Sequence, residues 1–600
     1  MKHFLLNLFL SLPFFGFSQE LITNVPNREI TSLNGEWNYI VDPYETGYYS
    51  FHYDAYDQLK GFQKSAFYSN YHAQNKQELV EYDFDKSPTM TIPGDWNSQK
   101  ENLFYYEGTV WLKKSFDYDL KGNKRLFVYF GAINYKAEVY LNGIKLGIHE
   151  GGFTPFNFEV SSIIKEKDNF LVVKVDNTRH KEAVPTINTD WWNYGGITRD
   201  VLLIEEPKSF IQDYAIQLKK GEKNIISGFV KINNFDKNEG FISIKIPELK
   251  VNHKGKINAD GMVAFEITNK KIQYWSPESP KLYEVVIGFK EQTLKDNIGF
   301  RTIETKGASI LLNGKPVFLK GISIHEENDK GGRANSEADA LRLLNWAKEL
   351  GCNYVRLAHY PHSENMVRLA DKIGLMVWAE IPVYWTVDFT NQETYKNAEN
   401  QLVEMIGRDK NRCATIIWSM ANETPISDAR NTFINNLNAK ARALDNTRLI
   451  SAALLTKSEG LNSYVDDAIA ENLDIIAFNQ YLGWYGGNLD DAEKIKWTSK
   501  YNKPVMVAEF GGDAKAGFHG EKNERWTEEY QEYLYIQNLK MIEKIPNISG
   551  LSPWILVDFR SPRRLLPDIQ DGYNRKGLIS NDGEKKKAFF VLKNFYNNKN

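Results

Sequence analysis

The chain has 600 residues, and its 74 lysines and arginines against 77 aspartates and glutamates leave a net charge of -3. At about 150 residues per domain, such a length implies roughly two to four domains. The near-neutral balance gives no electrostatic reason to expect nucleic acid or an anionic membrane surface as the main partner, and two cysteines, Cys352 and Cys413, are too few for a disulfide scaffold.

At the N-terminus Lys2 and His3 lead into the apolar run Phe4 to Phe17, which is too short to span a bilayer and has the small residues Gly16 and Ser18 at its end. Residues 1–18 read as a cleaved secretory signal, with the mature chain starting near Gln19 and a periplasmic or secreted destination. No later stretch is apolar enough for a transmembrane helix.

From residue 19 to about 305 helical periodicity is almost absent, and short apolar or alternating runs such as Leu126-Phe127-Val128-Tyr129-Phe130 and Phe170-Leu171-Val172-Val173 recur between turn signals such as Asn142-Gly143. This spacing predicts two β-sandwiches, one over residues 19–206 and an immunoglobulin-like one of about 100 residues over 207–305, divided near Glu206-Pro207. Beyond Gly307 strands alternate with amphipathic helices, the pattern of βαβ units. Eight strands are predicted near Val317–Ser323, Tyr354–Ala358, Leu375–Glu380, Thr415–Met420, Leu449–Ala453, Ile475–Asn479, Val505–Glu509 and Gly550–Leu556. A helix is expected over Ser336 to Leu350 behind a Ser336 N-cap. Eight strand-helix alternations over residues 306–600 predict a (β/α)8 TIM barrel. Both cysteines precede strand-like segments and read as buried thiols.

Barrel sites lie at the C-terminal ends of the strands. The fourth strand runs through Ile416-Ile417-Trp418-Ser419-Met420 to Asn422-Glu423, and the seventh through Val505-Met506-Val507-Ala508 to Glu509. Two carboxylates at one mouth are what glycoside hydrolysis requires: one to protonate the departing oxygen, the other to attack the anomeric carbon or activate water. A single such Glu would more often cap a helix or pair with an arginine. Other strand ends deliver His325 and Glu326, Arg356 and His359, Asn479, Tyr481, Trp484 and Tyr485, and Trp554. A sugar ring stacks its C–H faces on such aromatics, although each is as often a core residue. A zinc site at His325, Glu326 and His359 matches no common ligand spacing, so no metal and no cofactor are expected.

With these residues in view the chain resembles glycoside hydrolase family 2, from about Leu33 to Tyr596. The resemblance rests on Gly151-Gly152-Phe153-Thr154-Pro155-Phe156, Asn193-Tyr194-Gly195-Gly196-Ile197, Gly299-Phe300-Arg301, Asn422-Glu423 and Glu509-Phe510-Gly511. It implies a jelly-roll sugar-binding domain, an immunoglobulin-like sandwich and a catalytic barrel, with Glu423 as acid/base and Glu509 as nucleophile. Within the family the chain is most similar to β-glucuronidases, whose Asn-x-Lys motif for the substrate carboxylate matches Asn574-Arg575-Lys576. Asp190, His359, Asn422 and Tyr481 match further sugar-pocket positions. Phe510 stands where those enzymes often have tyrosine, Gln570 where an arginine often precedes the motif, and the Gln480-Tyr481-Leu482 loop differs from theirs. Arg563 and Arg564 are candidates for replacement charge or plain surface residues.

The expected function is a retaining exo-β-glycosidase acting on terminal β-D-glucuronic acid. The alternatives are a β-galactosidase or other neutral-sugar enzyme of the same family, and a non-catalytic carbohydrate-binding protein. The expected partner is a carbohydrate substrate, with no nucleic acid and no membrane span; a homo-oligomer is compatible with the sequence and not specified by it.

Overall fold

The computed structural model describes residues 20–59, 66–79, 82–235 and 240–599; the expected leader lies outside them. No described helix is long and apolar enough to cross a membrane.

The first body is a sandwich. Strands Gly35–Val41, Thr89–Ile92, Thr109–Phe116, Lys136–Leu141, Ile144–Glu150 and Asn169–Asp176 form one sheet; Glu29–Ser32, Lys124–Phe130, Phe156–Glu159 and Val201–Pro207 form the other. Alternating side chains of the first sheet, among them Trp37, Leu112, Val139 and Val173, pack against Val128, Phe130, Phe158 and Leu203 of the second. Asn142 and Gly143, both at positive φ (53° and 81°), make the tight turn between Lys136–Leu141 and Ile144–Glu150, a turn type whose twist matches the flanking strands.

The second body has seven strands. Phe210–Leu218, Ile225–Asn233 and Met262–Thr268 face Phe241–Ile246, Val251–Lys256, Tyr283–Phe289 and Gln292–Ile298 across a core that includes Tyr214, Val230, Ile244 and Ile287. Arg301, just after it, donates to the carbonyls of Cys413, Thr415 and Thr447 at the N-terminal ends of two barrel strands. This sandwich therefore supports the bottom of the barrel, away from the mouth.

The barrel strands are β1 (Leu319–Lys320 and Ser323–Ile324), β2 (Tyr354–Leu357), β3 (Met376–Glu380), β4 (Thr415–Asn422), β5 (Leu449–Leu454), β6 (Ile476–Asn479), β7 (Val505–Glu509) and β8 (Ile548–Leu551). Leu319–Lys320 pairs with β8 and Ser323–Ile324 with β2, so the two halves of β1 close the parallel sheet. The break falls at Gly321, where a Cβ would lie 2.1 Å from the Tyr354 ring. β8 stops at Leu551, short of the expected Leu556, because Pro553 has no N–H for the ladder.

Helix α1 (Glu337–Glu349) starts behind Ser336, which forms a capping box with Asp339. It is followed by α2 (Glu364–Ile373), α3 (Gln392–Asp409), α4 (Asp428–Leu444), α5 (Glu528–Ile542) and α6 (Lys587–Asn598). The expectation of a helix after every strand fails twice. β5 is followed by a short hairpin turning at Gly460 (φ 60°) and the 3-10 turn Ala468–Asn472, and β6 by the 3-10 turn Leu489–Lys494 behind Gly483, Gly486 and Gly487. Glycines at positive φ (86° at Gly483, 76° at Gly487) interrupt the helical path. Cys352 and Cys413 are buried free thiols.

Candidate active site

Strands β3 and β7 end on a glutamate, and β4 is followed by one, all at the same mouth, and their surroundings separate them. Glu380 is saturated. It accepts from Arg356 Nη2 (2.9 Å) and Nε (3.3 Å), from Trp378 Nε1 (2.9 Å), and contacts His359 Nδ1 (3.0 Å). Although burial opposes ionisation, the Arg356 guanidinium and His359 hold its carboxyl down to about 2. Glu380 is thus a fixed anion that anchors Arg356.

Glu509 lies on the other side of Arg356. Its Oε1 accepts from Arg356 Nη1 (2.7 Å) and its Oε2 from the Tyr481 hydroxyl (2.6 Å), with His359 Nε2 3.8 Å away. Burial pushes its carboxyl up to about 7 against the pull of Arg356, and the charge of Glu423 adds to the rise before Tyr481 and Arg356 moderate it by hydrogen bonding. The two carboxylates therefore sense one another.

Glu423 accepts a hydrogen bond from Trp385 Nε1 at 2.8 Å. It lies one residue beyond β4, whose register shifts between Ser419 and Asn422, and its φ of 51° is left-handed. Trp385, which interrupts the loop after β3, is left-handed too (φ 53°), and its N–H is held by the Asn422 carbonyl (2.9 Å). Such conformations cost about 1 kcal/mol or more for residues with side chains and cluster at functional sites. Asn422 Oδ1 accepts from Arg356 (2.8 Å) and Asn479 (3.2 Å), while its buried Nδ2 has no partner and remains a donor for a bound group.

Burial brings His359 down to about 4, so the ring is neutral. Its Nδ1 lies within hydrogen-bonding distance of both Glu380 Oε1 (3.0 Å) and Arg356 Nη2 (3.2 Å), and its Nε2 lies 3.8 Å from Glu509. Trp554 stacks on this ring (4.5 Å between centroids, 20°) and makes the floor of the mouth. Glycines after β7 permit the approach: a Cβ on Gly511 would lie 2.3 Å from the Trp554 carbonyl oxygen, and one on Gly512 3.1 Å from the Trp484 ring.

The opposite wall is basic. Lys576, buried, has its Nζ 2.6 Å from Asp513 Oδ1 and lies 5.3 Å from the Trp484 ring centroid and 5.1 Å from that of Tyr485. Burial alone would lower its ammonium, but Asp513 more than offsets this and the group ends above its ordinary range. Arg525 lies 5.0 Å from the Trp484 ring, which packs edge-on to Trp526, so Trp484 supports Lys576 rather than offering a free face.

The first sandwich contributes Asp190, which closes this wall. Its Oδ1 accepts from Ser561 Oγ (2.6 Å), and its Oδ2 from Arg564 Nη2 (2.5 Å) and Asn574 Nδ2 (3.1 Å). Asn574 also accepts from the Lys576 backbone N–H (3.2 Å), so it ties Asp190 to the lysine. Next to Asp190, Trp191 packs edge-on to Tyr384 (4.9 Å).

All ten sequence-derived residues, Glu423, Glu509, Asp190, His359, Asn422, Tyr481, Trp484, Trp554, Asn574 and Lys576, thus line or back one mouth. His325 and Glu326 do not join it as a metal site. His325 Nδ1 contacts the Tyr360 hydroxyl (2.9 Å), and Glu326 pairs with Arg199 (2.7 Å) and receives the Ser363 N–H (2.7 Å), fastening the first sandwich to the barrel.

Glu380, Trp385 and Asp513 were not selected by sequence, and Arg564 only as one of two candidates for replacement charge. Glu380 carried the same signal as the other two glutamates, an apolar strand ending in Glu; nothing local announces the others. The departures from the β-glucuronidase pattern also find their places. Phe510 faces Tyr535 of α5 (5.1 Å), away from the mouth, and Gln480 bonds Asn538 of the same helix (2.8 Å). Gln570 donates to Asp513 (3.2 Å), and Arg564 brings a cation to the wall from a different loop. Two cavities of about 410 Å³ and 330 Å³, lined by Asp329 and Arg342 and by Arg199 and Arg408, contain none of this machinery.

Comparison with known proteins agrees along the chain. Family models match at residues 30–207 (glycosyl hydrolases family 2, sugar binding domain), 203–301 (glycosyl hydrolases family 2) and 303–600 (glycosyl hydrolases family 2, TIM barrel domain). A Formosa agariphila protein named "Putative beta-glucuronidase" is 29% identical over 567 residues, covering 85% of this chain and 66% of its own, so the chain spans just under two thirds of that relative. The β-glucuronidase of Paenibacillus borealis is 26% identical over 94% of this chain and 96% of its own. The solved structure of an uncultured Clostridium sp. β-glucuronidase superposes with a TM-score of 0.82 at 26% identity, over 97% of this chain and 100% of that one.

Proposed function

The chain belongs to glycosyl hydrolase family 2, and from that premise we propose that it is a retaining exo-β-glycosidase that removes a terminal β-D-glucuronosyl residue. The observation that carries the choice of sugar is the basic wall of Lys576 and Arg564, with Asn574 between them, at the same mouth as Glu423 and Glu509. A uronate C6 carboxylate can hydrogen-bond an ammonium and a guanidinium there, whereas a neutral hydroxymethyl group gains no charge-assisted bond. The β-glucuronidase names of the relatives point the same way.

Two like charges facing one pocket oppose one another, and the charge of Glu423 adds to the rise of the Glu509 carboxyl. Attack requires Glu509 in its ionised form, the form that Arg356 and Tyr481 hydrogen-bond, and Glu423 is the proton donor of this step. A Glu509 oxygen forms a bond to the anomeric carbon as the glycosidic C–O bond breaks; the departing oxygen takes the bonding pair and the Glu423 proton. Water then gives a proton to Glu423, its oxygen bonds the anomeric carbon from the same face, and Glu509 leaves as carboxylate. Asn422 Nδ2 is placed to donate to the 2-hydroxyl, a bond that strengthens as charge develops. Asp190 would orient a further hydroxyl. We place the enzyme outside the cytoplasm on the apolar leader read at residues 1–18.

A panel of 4-nitrophenyl β-glycosides tests the sugar. kcat/KM should be highest for the glucuronide, and Lys576→Met should lower it about 10²-fold there while moving the galactoside far less. Pairing this change with Asp513→Asn removes the buried anion that it would orphan. Equal wild-type activity on galactoside and glucuronide would overturn the assignment in favour of a neutral-sugar enzyme.

The acid limb of the pH profile tests the nucleophile. Glu509 must be ionised to attack, so kcat/KM should fall as pH drops through a value of about 7. Tyr481→Phe deletes a hydrogen bond to the ionised form, which raises the Glu509 pKa and moves that limb to higher pH. A limb that stays in place, or moves down, would remove Tyr481 from this role.

A further inference from the structure

Among the arginines and lysines that line or back the mouth, Arg356 is committed to Glu380 and Glu509, Lys576 to Asp513, Arg564 to Asp190 and Arg575 to Asp558. Arg525, behind Trp484, donates to the Gly483 carbonyl, and Arg563 stands on the side of Trp385. Its guanidinium lies 5.0 Å from the Trp385 ring centroid, its Nη1 donates to the amide oxygen of Asn188, and it has no carboxylate partner among the described residues. It is also exposed.

Trp385 is the residue whose indole N–H holds Glu423. Under the reading above, on which this inference rests, Glu423 gives its proton to the glycosidic oxygen. The group leaving on that oxygen must therefore lie against what flanks Glu423 on the side away from Glu509. Trp385, bonded to Glu423, supplies a half-buried aromatic surface, and Arg563 a cation over it. Tyr384, in ring contact with Trp385 at 4.4 Å, backs the indole, and the left-handed backbone of Trp385 is pinned to Asn422, so the platform is preorganised.

We propose that Trp385 and Arg563 form a leaving-group subsite that prefers an aglycone carrying an anionic group, carboxylate or sulfate, on its ring. The guanidinium offers a planar fork that fits either group, and stacking on the indole orients it at little entropic cost. Arg564 belongs to the wall assigned to the sugar carboxylate, where it also pairs with Asp190. The bland alternative is a solvated surface arginine that happens to cover a tryptophan.

Aryl β-glycosides with matched leaving-group acidity, bearing a meta carboxylate, a meta sulfonate or a neutral carboxamide, separate the two. The wild-type ratio of kcat/KM, anionic over neutral, should be about two- to fivefold at low salt, the range of an exposed ion pair. It should fall towards one in about 0.5 M NaCl through screening and in Arg563→Gln, while Arg563→Lys keeps part of it. Comparison of the carboxylate with the sulfonate shows which anion is preferred. A wild-type ratio of one, or an Arg563→Gln ratio equal to that of wild type, overturns the subsite. Each ratio is taken within one enzyme, so loss of folded protein does not affect it. It is read on both glucuronides and galactosides, so it stands or falls independently of the choice of sugar.

Discussion

Glu509→Gln is expected to lower kcat on 4-nitrophenyl β-glycosides by about 10⁴-fold or more. The amide has the volume of the carboxylate; its oxygen can still accept from Arg356 while its NH2 donates to the Tyr481 hydroxyl oxygen, so the walls of the site should persist. It lacks the charge that bonds the anomeric carbon and stabilises the cationic transition state. The change also leaves Arg356 paired with Glu380, which limits the cost in stability. The measurement is steady-state turnover beside a melting curve, with wild type treated in parallel with a 2-fluoro glycosyl fluoride to accumulate the covalent intermediate. Mass spectrometry should find the sugar on the peptide that contains Glu509. Activity within tenfold of wild type, or label on another carboxylate, would remove Glu509 as nucleophile.

Glu423→Ala should cost about 10²- to 10⁴-fold, and the size of the loss should depend on the leaving group. A phenol of low pKa departs without a proton, so its first step is spared; a poor leaving group needs the proton and suffers most. The second step then becomes slow, because no base remains for the attacking water, and a burst of phenol should precede steady turnover. The space vacated beneath Trp385 Nε1 would admit azide, which needs no deprotonation, and added azide should restore turnover with a β-glycosyl azide as product. An equal loss for good and poor leaving groups, without rescue, would show that Glu423 acts structurally.

These two experiments bear on residues that stood out in the sequence because each stands at or just past the end of a mostly apolar strand. The same rule selects Glu380 equally well, and only its partners disqualify it. A carboxylate with four donors around it is held as an anion and has no freedom to exchange protons or attack carbon, while Glu423 has one donor and Glu509 two. Phe510 stands where the β-glucuronidases often have tyrosine, yet its ring packs on α5. Trp484 looked like a stacking platform and instead supports the Lys576 ammonium. In both cases the residue type was informative and its direction was not, because alternation along a strand does not extend into the loop that follows it.

Sequence by itself determined the fold class, the order of sandwich, sandwich and barrel, and the levels at which Glu423 and Glu509 leave their strands. Those conclusions rest on periodicities of two and 3.6 residues and on the rule of strand ends, all of which act over short stretches of chain. The tertiary structure alone decided how the barrel closes, through the two halves of β1, and which loops converge on the carboxylates. Arg564 meets Asp190 across 374 positions and Arg356 meets Glu509 across 153. No local pattern encodes such pairings, since charge neutralisation in a buried site depends on which side chains are within a few ångströms and not on their separation along the chain.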